Sequence, residues 1–181
     1  MDTLHALGRL RAGKGFGVHS PFAYAFIKDV LRLPDKYGYY AYHLIDSLYA
    51  TAVDSHSPVL PVKYLKLIYR IVVFYNSGNL RVIGDPQPLN PFLSAVKPPE
   101  ELPASGRQII IVAPTPQLTE IDSIDFEQEP IFIVTCLKQN RAAWEMITSR
   151  YTAHGMSFAN PHFAVFVPDS RLPRQHFNLW I

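Results

Sequence analysis

The chain has 181 residues, of which 48% are hydrophobic, so it is long enough for one sizeable core and too short for two full domains. Its 17 basic and 15 acidic residues give a formal net charge of +2, which lacks the strong basic excess of most nucleic-acid-binding proteins. No apolar run approaches the roughly 18 residues of a membrane span, and residues 1–13 lack the apolar core of a signal peptide. The single cysteine excludes an internal disulfide, which fits a reducing compartment. We therefore expect a cytoplasmic protein without membrane or nucleic acid partners.

The first third of the sequence has the patterns of helices. Three are predicted, over residues 3–11, about 20–33 and about 39–53. The second has the clearest start, because Ser20 suits an N-cap and Pro21 suits the first helical position. We therefore predict a helical N-terminal extension over residues 1–55, followed by a polar, proline-bounded linker.

A fourth helix leads into a predicted sheet. Apolar side chains recur at helical spacing from Val62 to Val72, and Gly78 is predicted to cap this helix. Beyond it, the pattern changes to apolar strands separated by short connections. Three strands are predicted, over residues 80–84, 108–113 and 131–135. Their continuous Ile and Val runs are typical of parallel strands that are covered on both faces.

The last part of the chain adds a helix and a hairpin. Residues 138–151 are predicted to form a helix whose inward-facing side chains are Ala142, Ala143, Met146 and Ile147. Two strands near residues 155–159 and 162–167 are separated by only Asn160-Pro161, too few residues for a crossover helix, so they should pair as an antiparallel hairpin. Residues 86–103 contain six prolines and are predicted to be an irregular loop. The alternation of helix and strand predicts one α/β unit over residues 56–181.

The two ends of the chain resemble one known group of proteins. The run GFGVHSPF at residues 15–22, followed by an aromatic-rich helix, resembles the opening of bacterial class I S-adenosylmethionine-dependent methyltransferase-like proteins. The end of the chain is similar to the same group through Trp144-Glu145 on a helix, then a hairpin, then RQHF at residues 174–177. This resemblance implies a reduced Rossmann-like, mostly parallel sheet whose last strand is inserted antiparallel. It also implies a methyl-donor site at the carboxyl ends of the first strands.

The implied donor site is degenerate in this sequence. A member of the group has several glycines after the first strand, where the backbone approaches the donor, whereas this chain keeps Gly84 and continues with Asp85-Pro86. The group's second strand, with its ribose-binding acidic residue, has no counterpart in residues 86–103, and Ala113-Pro114 stands where a later strand carries Asp. Losing two or three hydrogen bonds of about 1.5–3 kcal/mol each weakens donor binding by about three or more powers of ten.

The preferred hypothesis is therefore a shortened methyltransferase-like protein that has lost conventional S-adenosylmethionine binding. It would need no cofactor and act as a non-catalytic binding or assembly protein, as a homo-oligomer or with a related protein. The alternative is an active small-molecule methyltransferase that holds S-adenosylmethionine through Gly84, Asp85 and Thr135. Asp85-Pro86 also has the pattern of a simple turn, which is the interpretation we favour.

Other residues of the sequence invite functional hypotheses as well. Phe16, Gly17 and His19 could fold over the mouth of the pocket as a lid, which the resemblance permits. A nucleophile-and-base pair of Ser20 with His19 is disfavoured, because Ser20 already has a capping role. Cys136 follows a predicted strand, where α/β active sites occur, but a cysteine in such an apolar run is usually a small buried hydrophobe. The seven histidines lack the spacing of metal ligands, so no metal site is predicted.

Overall fold

The computed structural model describes residues 20–33, 40–96 and 106–179. The described chain has the predicted α/β class, with a mixed sheet between helices. Its α-helices are α1 (Pro21–Phe26), α2 (Tyr40–Asp54), α3 (Val62–Phe74), α4 (Asn90–Ala95), α5 (Leu118–Asp122) and α6 (Arg141–Ser149). Its strands are β1 (Leu80–Ile83), β2 (Ile109–Val112), β3 (Ile131–Thr135), β4 (Met156–Ala159), β5 (Phe163–Val167) and β6 (Gln175–Asn178). Within these ranges, no helix is long and apolar enough to cross a membrane.

The strand order in the sheet is β1-β2-β3-β5-β4-β6. The three strands β1, β2 and β3 pair in parallel, as their apolar sequences predict. The predicted hairpin is also present, because β5 pairs antiparallel with β4, with Ala159 opposite Ala164. On its other side β5 pairs antiparallel with β3, so the hairpin continues the parallel part of the sheet. An additional strand, β6, was not predicted and pairs in parallel with β4.

Both faces of the sheet are covered, and alternate residues of each central strand enter different apolar clusters. Ile109 and Ile111 of β2 pack in the cluster that includes α1, α2, α3 and α4. Ile110 and Val112 point to the opposite face and pack in the cluster that includes α5 and α6. Burial on both faces explains why these strands read as continuous apolar runs instead of alternating with polar residues.

The described part of the predicted N-terminal extension is packed into the same core as the sheet. Ser20 Oγ accepts a hydrogen bond from Ala23 N at 3.3 Å, which confirms the predicted N-cap. After α1 the helix continues as a π-helical segment over Ile27–Leu31. The guanidinium of Arg70, buried in α3, donates to the carbonyl oxygens of Val30 at 2.6 Å and Leu31 at 3.3 Å. These bonds satisfy carbonyls at the helix end and fix the first helices against α3.

The predicted glycine cap of α3 is wrong. Asn76, not Gly78, takes the left-handed conformation, with φ of 45°. Asn76 N donates to Val73 O at 3.1 Å and Ser77 N donates to Val72 O at 3.2 Å, the two bonds of a Schellman motif. Asn is among the few non-glycine residues that tolerate this conformation, so the helix ends two residues earlier than the glycine suggested.

Two further predictions need correction. The stretch predicted to be an irregular loop contains a 3₁₀ turn over Gln87–Leu89 and then α4. Leu89 and Phe92 are fully buried there, and prolines are tolerated in the first turn of a helix, so burial of these two side chains favours helical structure. In α6, the inward-facing Ala143 and Ile147 are buried as predicted, but Ala142 is exposed. The predicted helix over residues 3–11 lies outside the described residues.

Candidate functional site at the carboxyl ends of the parallel strands

The carboxyl ends of β1, β2 and β3 lie side by side, since the three strands are parallel and paired in register. We call residues 84–85, 113–115 and 135–140 the strand-end region. In α/β sheets, ligands bind at this end of the strands, and all three candidate donor-binding residues lie here. Phe16, Gly17 and His19, the candidate lid residues, lie outside the described residues.

Gly84 is required by packing within the protein. Its φ is +89°, a conformation that side chains rarely adopt, and a Cβ atom at this position would lie 2.7 Å from the carbonyl oxygen of Pro114. The same hypothetical atom would lie 3.1 Å from the carbonyl oxygen of Ala113. The loop after β2 therefore occupies the space that a glycine leaves free, and the glycine is explained without a bound ligand.

Asp85 forms a local turn. Its backbone N–H donates to Pro114 O at 2.9 Å, which continues the contact between the ends of β1 and β2. Its Oδ1 accepts a hydrogen bond from Gln87 N at 3.0 Å, at the start of the 3₁₀ turn. This is the side-chain-to-backbone bond by which aspartate initiates a turn, as the Asp85-Pro86 pair predicts.

Thr135 and Asn140 join the ends of β2 and β3. The hydroxyl of Thr135, which is buried, donates to Val112 O at 2.9 Å. The side-chain amide of Asn140, also buried, donates to Ala113 O at 3.0 Å and to Thr135 O at 2.7 Å. Sequence reasoning missed Asn140, because it placed this residue inside the helix predicted over residues 138–151, whereas the helix begins at Arg141. The polar groups of this part of the strand-end region therefore bind one another.

A cavity of about 420 Å³ is lined by Leu137 and Lys138 of this region together with α6, and two further cavities lie nearby. One, of about 390 Å³, lies between α2 and the Gln87–Leu89 turn with α4, and the described residues that line it are uncharged, with Thr51, Gln87 and Asn90 among them. The other, of about 340 Å³, opens where β3 ends and is lined by the start of α3, by Thr135 and Cys136, and by the β4–β5 turn. We call the second the β3-end cavity.

The backbone around the β3-end cavity is held in place by hydrogen bonds from both sides. Leu137 N donates to His162 O at 3.0 Å, which places the residue after Cys136 beside the turn of the hairpin. The buried Asn160 side chain accepts bonds from His162 N at 2.7 Å and Phe163 N at 2.8 Å. These bonds fix the β4–β5 turn, so the cavity has walls that are formed before any ligand arrives.

Cys136 is half-buried: it packs against the apolar core, in keeping with its interpretation as a small hydrophobe, and it also lines this cavity. Its φ is +48°, which allows the chain to leave β3 and turn toward α6. Burial raises the pKa of the thiol above its ordinary value, and a hydrogen bond with Thr135 offsets this only in part. Since the thiolate is the nucleophilic form, a raised pKa argues against a role for Cys136 as a catalytic nucleophile.

Chemistry that depends on a metal has no support among the described residues. They contain no group of three or more His, Cys, Asp or Glu side chains that could hold a metal ion. The described part of the strand-end region has one carboxylate, that of Asp85, which already accepts the hydrogen bond of its turn. It thus lacks the paired acid and base groups with which many enzymes transfer protons.

No protein-family model matches the sequence, and no curated protein or solved structure is significantly similar to it. These comparisons neither support nor contradict membership of the methyltransferase-like group. The function must therefore be inferred from the geometry of the chain and from the resemblance of its two ends.

Proposed function

We propose that this chain is a non-catalytic binding or assembly protein on a reduced methyltransferase-like sheet that does not bind S-adenosylmethionine in the conventional way. The observation that carries the proposal is the internal bonding of the strand-end region. Gly84 is packed against the β2 loop, Asp85 Oδ1 accepts from Gln87 N, and Thr135 Oγ1 donates to Val112 O. A donor molecule would have to break these bonds in order to bind. This weakens the binding free energy further, beyond the loss that the missing glycine-rich loop already causes.

The strand order supports the relation to methyltransferase-like proteins. Strand β5 is inserted antiparallel between β3 and β4, which is the arrangement that the resemblance implies for the last strand. In Rossmann-like sheets the second strand lies next to the first, and among the described residues no strand pairs with the outer edge of β1. This supports the deletion of the second strand, together with its ribose-binding carboxylate. Strand β6 contains most of the RQHF run on which the resemblance rests, although the resemblance did not imply a strand there.

The outer edge of β1, which no described strand pairs with, supports a role in assembly. A strand with one unpaired edge presents backbone N–H and C=O groups that favour pairing with another chain. Leu80, Arg81 and Val82 are each half-buried, whereas all residues of β2 and β3 are buried, as expected for a strand at the edge of the described sheet. Arg81 also donates to Ser123 Oγ at 3.0 Å, which holds its side chain on the α5 face and away from the open edge. A second copy of the chain, or a related protein, is the partner we propose.

Calorimetric titration with S-adenosylhomocysteine, which binds a donor pocket without being consumed, tests the proposal. We expect no heat of binding at millimolar ligand. Micromolar binding that is lost in Asp85→Ala would overturn the proposal and establish the alternative, an active methyltransferase with an atypical donor site.

The matched control for this titration is Asp125→Ala. Asp125 Oδ1 accepts from Glu127 N at 3.1 Å, the same local bond that Asp85 makes, but it precedes β3 and lies away from the strand-end region. Asp125 Oδ2 also accepts from the Gln128 side chain at 2.8 Å, so Asp125→Ala should lose at least as much stability as Asp85→Ala. A difference between them in ligand binding would report on the donor site and not on the turn.

A further inference from the structure

A groove runs between α6 and β6 on the face of the sheet that α6 covers. The cavity of about 420 Å³ forms one end of it and is lined by Trp144 of α6 and by His176 and Asn178 of β6. Phe166 of β5 continues the floor, and the ring of Trp144 packs perpendicular to it with 6.3 Å between centroids. The guanidinium carbon of Arg174 lies 4.9 Å from the centroid of the same Phe166 ring and marks the other end. We call this surface the α6–β6 groove.

Each end of the α6–β6 groove carries a cationic side chain with no anionic partner among the described residues. Lys138 is exposed and lines the cavity, and its ammonium group makes no hydrogen bond or ion pair with the described part of the chain. Arg174 is also exposed, and no group in the described ranges accepts a hydrogen bond from its guanidinium. Glu145, the one acidic residue among the described residues that line the cavity, is paired with Arg141 at 2.8 Å. The groove therefore has a positive charge, with a cation available at each end.

Arg174 differs in this respect from Arg150, which directly follows α6. Arg150 also lies over a phenylalanine ring, 5.4 Å from the centroid of Phe126, but its guanidinium donates to Asp122 at 2.8 Å. Burial lowers the pKa of Arg174, and no carboxylate of the described chain acts in the opposite direction. A partly buried charge without a partner costs free energy, which a bound anion would offset.

The separation of the two cations determines the shape of a suitable ligand. Lys138 lines the cavity together with Ala159 and Asn178, which lie opposite each other at the ends of β4 and β6. Arg174 directly precedes β6, at the opposite end of that strand. The groove therefore extends along about four residues of strand, or about 13 Å. This length favours an elongated ligand with anionic groups some distance apart, and an extended peptide with acidic side chains has this form.

The middle of the α6–β6 groove offers a fixed hydrogen-bond donor. The His176 ring is held at both nitrogens, with Nδ1 2.7 Å from Ser157 Oγ and Nε2 3.1 Å from Asn178 Oδ1. The side-chain nitrogen of Asn178 makes no hydrogen bond to any described residue, so it can donate to a peptide carbonyl group. Trp144, which is half-buried, adds apolar surface beside it.

We propose that the α6–β6 groove binds an extended acidic peptide segment of a partner protein. One acidic side chain of the peptide pairs with Lys138 and another with Arg174, and Asn178 donates to the peptide backbone between them. An apolar side chain of the peptide packs on the exposed part of Trp144. This binding surface goes beyond the proposed function and does not rest on it, because none of the bonds between β1 and β2 contributes to the groove. It also lies at the β6 edge of the sheet, opposite the β1 edge.

The first test is a titration of ¹⁵N-labelled protein with the peptide acetyl-Glu-Glu-Val-Glu-Glu-amide, followed by backbone amide chemical shifts. We expect saturable shifts centred on Lys138, Trp144 and residues 174–178, with a dissociation constant of about 0.1–1 mM. The peptide with glutamine in place of each glutamate should cause no shifts at the same concentration. Acetyl-Glu-amide should bind at least about tenfold more weakly, because it reaches only one cation at a time.

Two outcomes of this titration would overturn the proposal. Shifts that scatter over the surface lysines and arginines without saturating would show that the acidic peptide has no defined site. Equal affinity for acetyl-Glu-amide and for the longer peptide would show that the groove holds a single small anion and not an extended peptide.

A matched pair of arginine variants adds a second test. Arg174→Gln should weaken binding of the glutamate peptide about fivefold, the upper end for an exposed ion pair, and Lys138→Gln about threefold. Arg150→Gln removes the same charge from an arginine that also lies over a phenylalanine ring, and it should leave binding unchanged. Equal effects of Arg174→Gln and Arg150→Gln would show that the peptide responds only to overall charge, and would refute the groove as its site.

Reversing both charges provides an independent readout. The double variant Lys138→Glu with Arg174→Glu should no longer bind the glutamate peptide and should bind acetyl-Lys-Lys-Val-Lys-Lys-amide instead, since the complementary charges are exchanged. A folded double variant that keeps its affinity for the glutamate peptide, or gains none for the lysine peptide, would contradict the proposal. Binding of S-adenosylhomocysteine has no bearing on either result, so the two proposals can fail separately.

Discussion

The side-chain nitrogen of Asn140 donates to the carbonyl oxygen of Thr135 at 2.7 Å. The same nitrogen donates to the carbonyl oxygen of Ala113, at the end of β2, at 3.0 Å. We expect Asn140→Ala to lower the free energy of unfolding by about 1–3 kcal/mol, because buried carbonyl groups lose their donor. Asn140→Asp should be at least as harmful, since it places a carboxylate against those carbonyls. Urea unfolding measures both, and Gln139→Ala at the exposed neighbouring position serves as the control.

Gly84→Ala should also destabilise the protein. The substitution places a Cβ atom against the carbonyl of Pro114 and forces a side chain into a conformation with φ of +89°, so we expect a loss of about 1–3 kcal/mol. Gly78→Ala is the matched control, because Gly78 is exposed and is not among the glycines with positive φ. It should be neutral or slightly stabilising. Equal losses in the two variants, measured by urea unfolding, would contradict this account of Gly84.

Stability at acid pH should depend on Asp169. The hydrogen bonds from the Arg171 side chain lower the pKa of this carboxyl group from its ordinary value to about 2, although partial burial acts in the opposite direction. A carboxyl group with a lowered pKa stabilises the folded state above its unfolded pKa and loses this contribution as the pH falls toward the folded pKa. We therefore expect the wild-type protein to lose stability between about pH 4 and pH 2.

The comparison of Asp169→Asn with wild type measures this contribution. The variant should be less stable at neutral pH, and its stability should fall less steeply between pH 4 and pH 2. Asp54→Asn, at an exposed position at the end of α2, controls for the loss of one carboxyl group. If Asp169→Asn followed the same acid unfolding curve as wild type, the ion pair with Arg171 would not stabilise the fold.

Self-association should be visible in solution. We expect light scattering to give at least the mass of a dimer, and hydrogen exchange of the β1 amides to slow as the protein concentration is raised, because pairing at the open edge protects them. Strand β6, at the other edge of the sheet, is mostly exposed and provides the internal comparison. A monomer at high concentration, or equal changes at both edges, would argue against assembly through β1.

Local pattern is sufficient to predict much of this fold. The strands β1, β2 and β3 are read from runs of Ile and Val, and the hairpin from the two-residue spacing of Asn160-Pro161. The start of α1 follows from Ser20 and Pro21, whose roles depend on neighbouring atoms of the same short segment. Such features are predictable because the interactions that produce them lie within a few residues of one another.

Features that depend on distant parts of the chain are not predictable in this way. Strand β6 has a polar, exposed sequence and exists because β4 offers it a ladder of hydrogen bonds, and α4 forms in a proline-rich stretch because Phe92 has a core to enter. Asn140 lies inside the helix predicted over residues 138–151, yet it precedes the observed helix and its amide donates to carbonyl groups at the ends of two strands. The β3-end cavity combines Cys136 with the start of α3, about 70 residues earlier in the chain, and with the β4–β5 turn, about 25 residues later. Burial of apolar surface brings such distant segments together, and local sequence patterns do not contain this information.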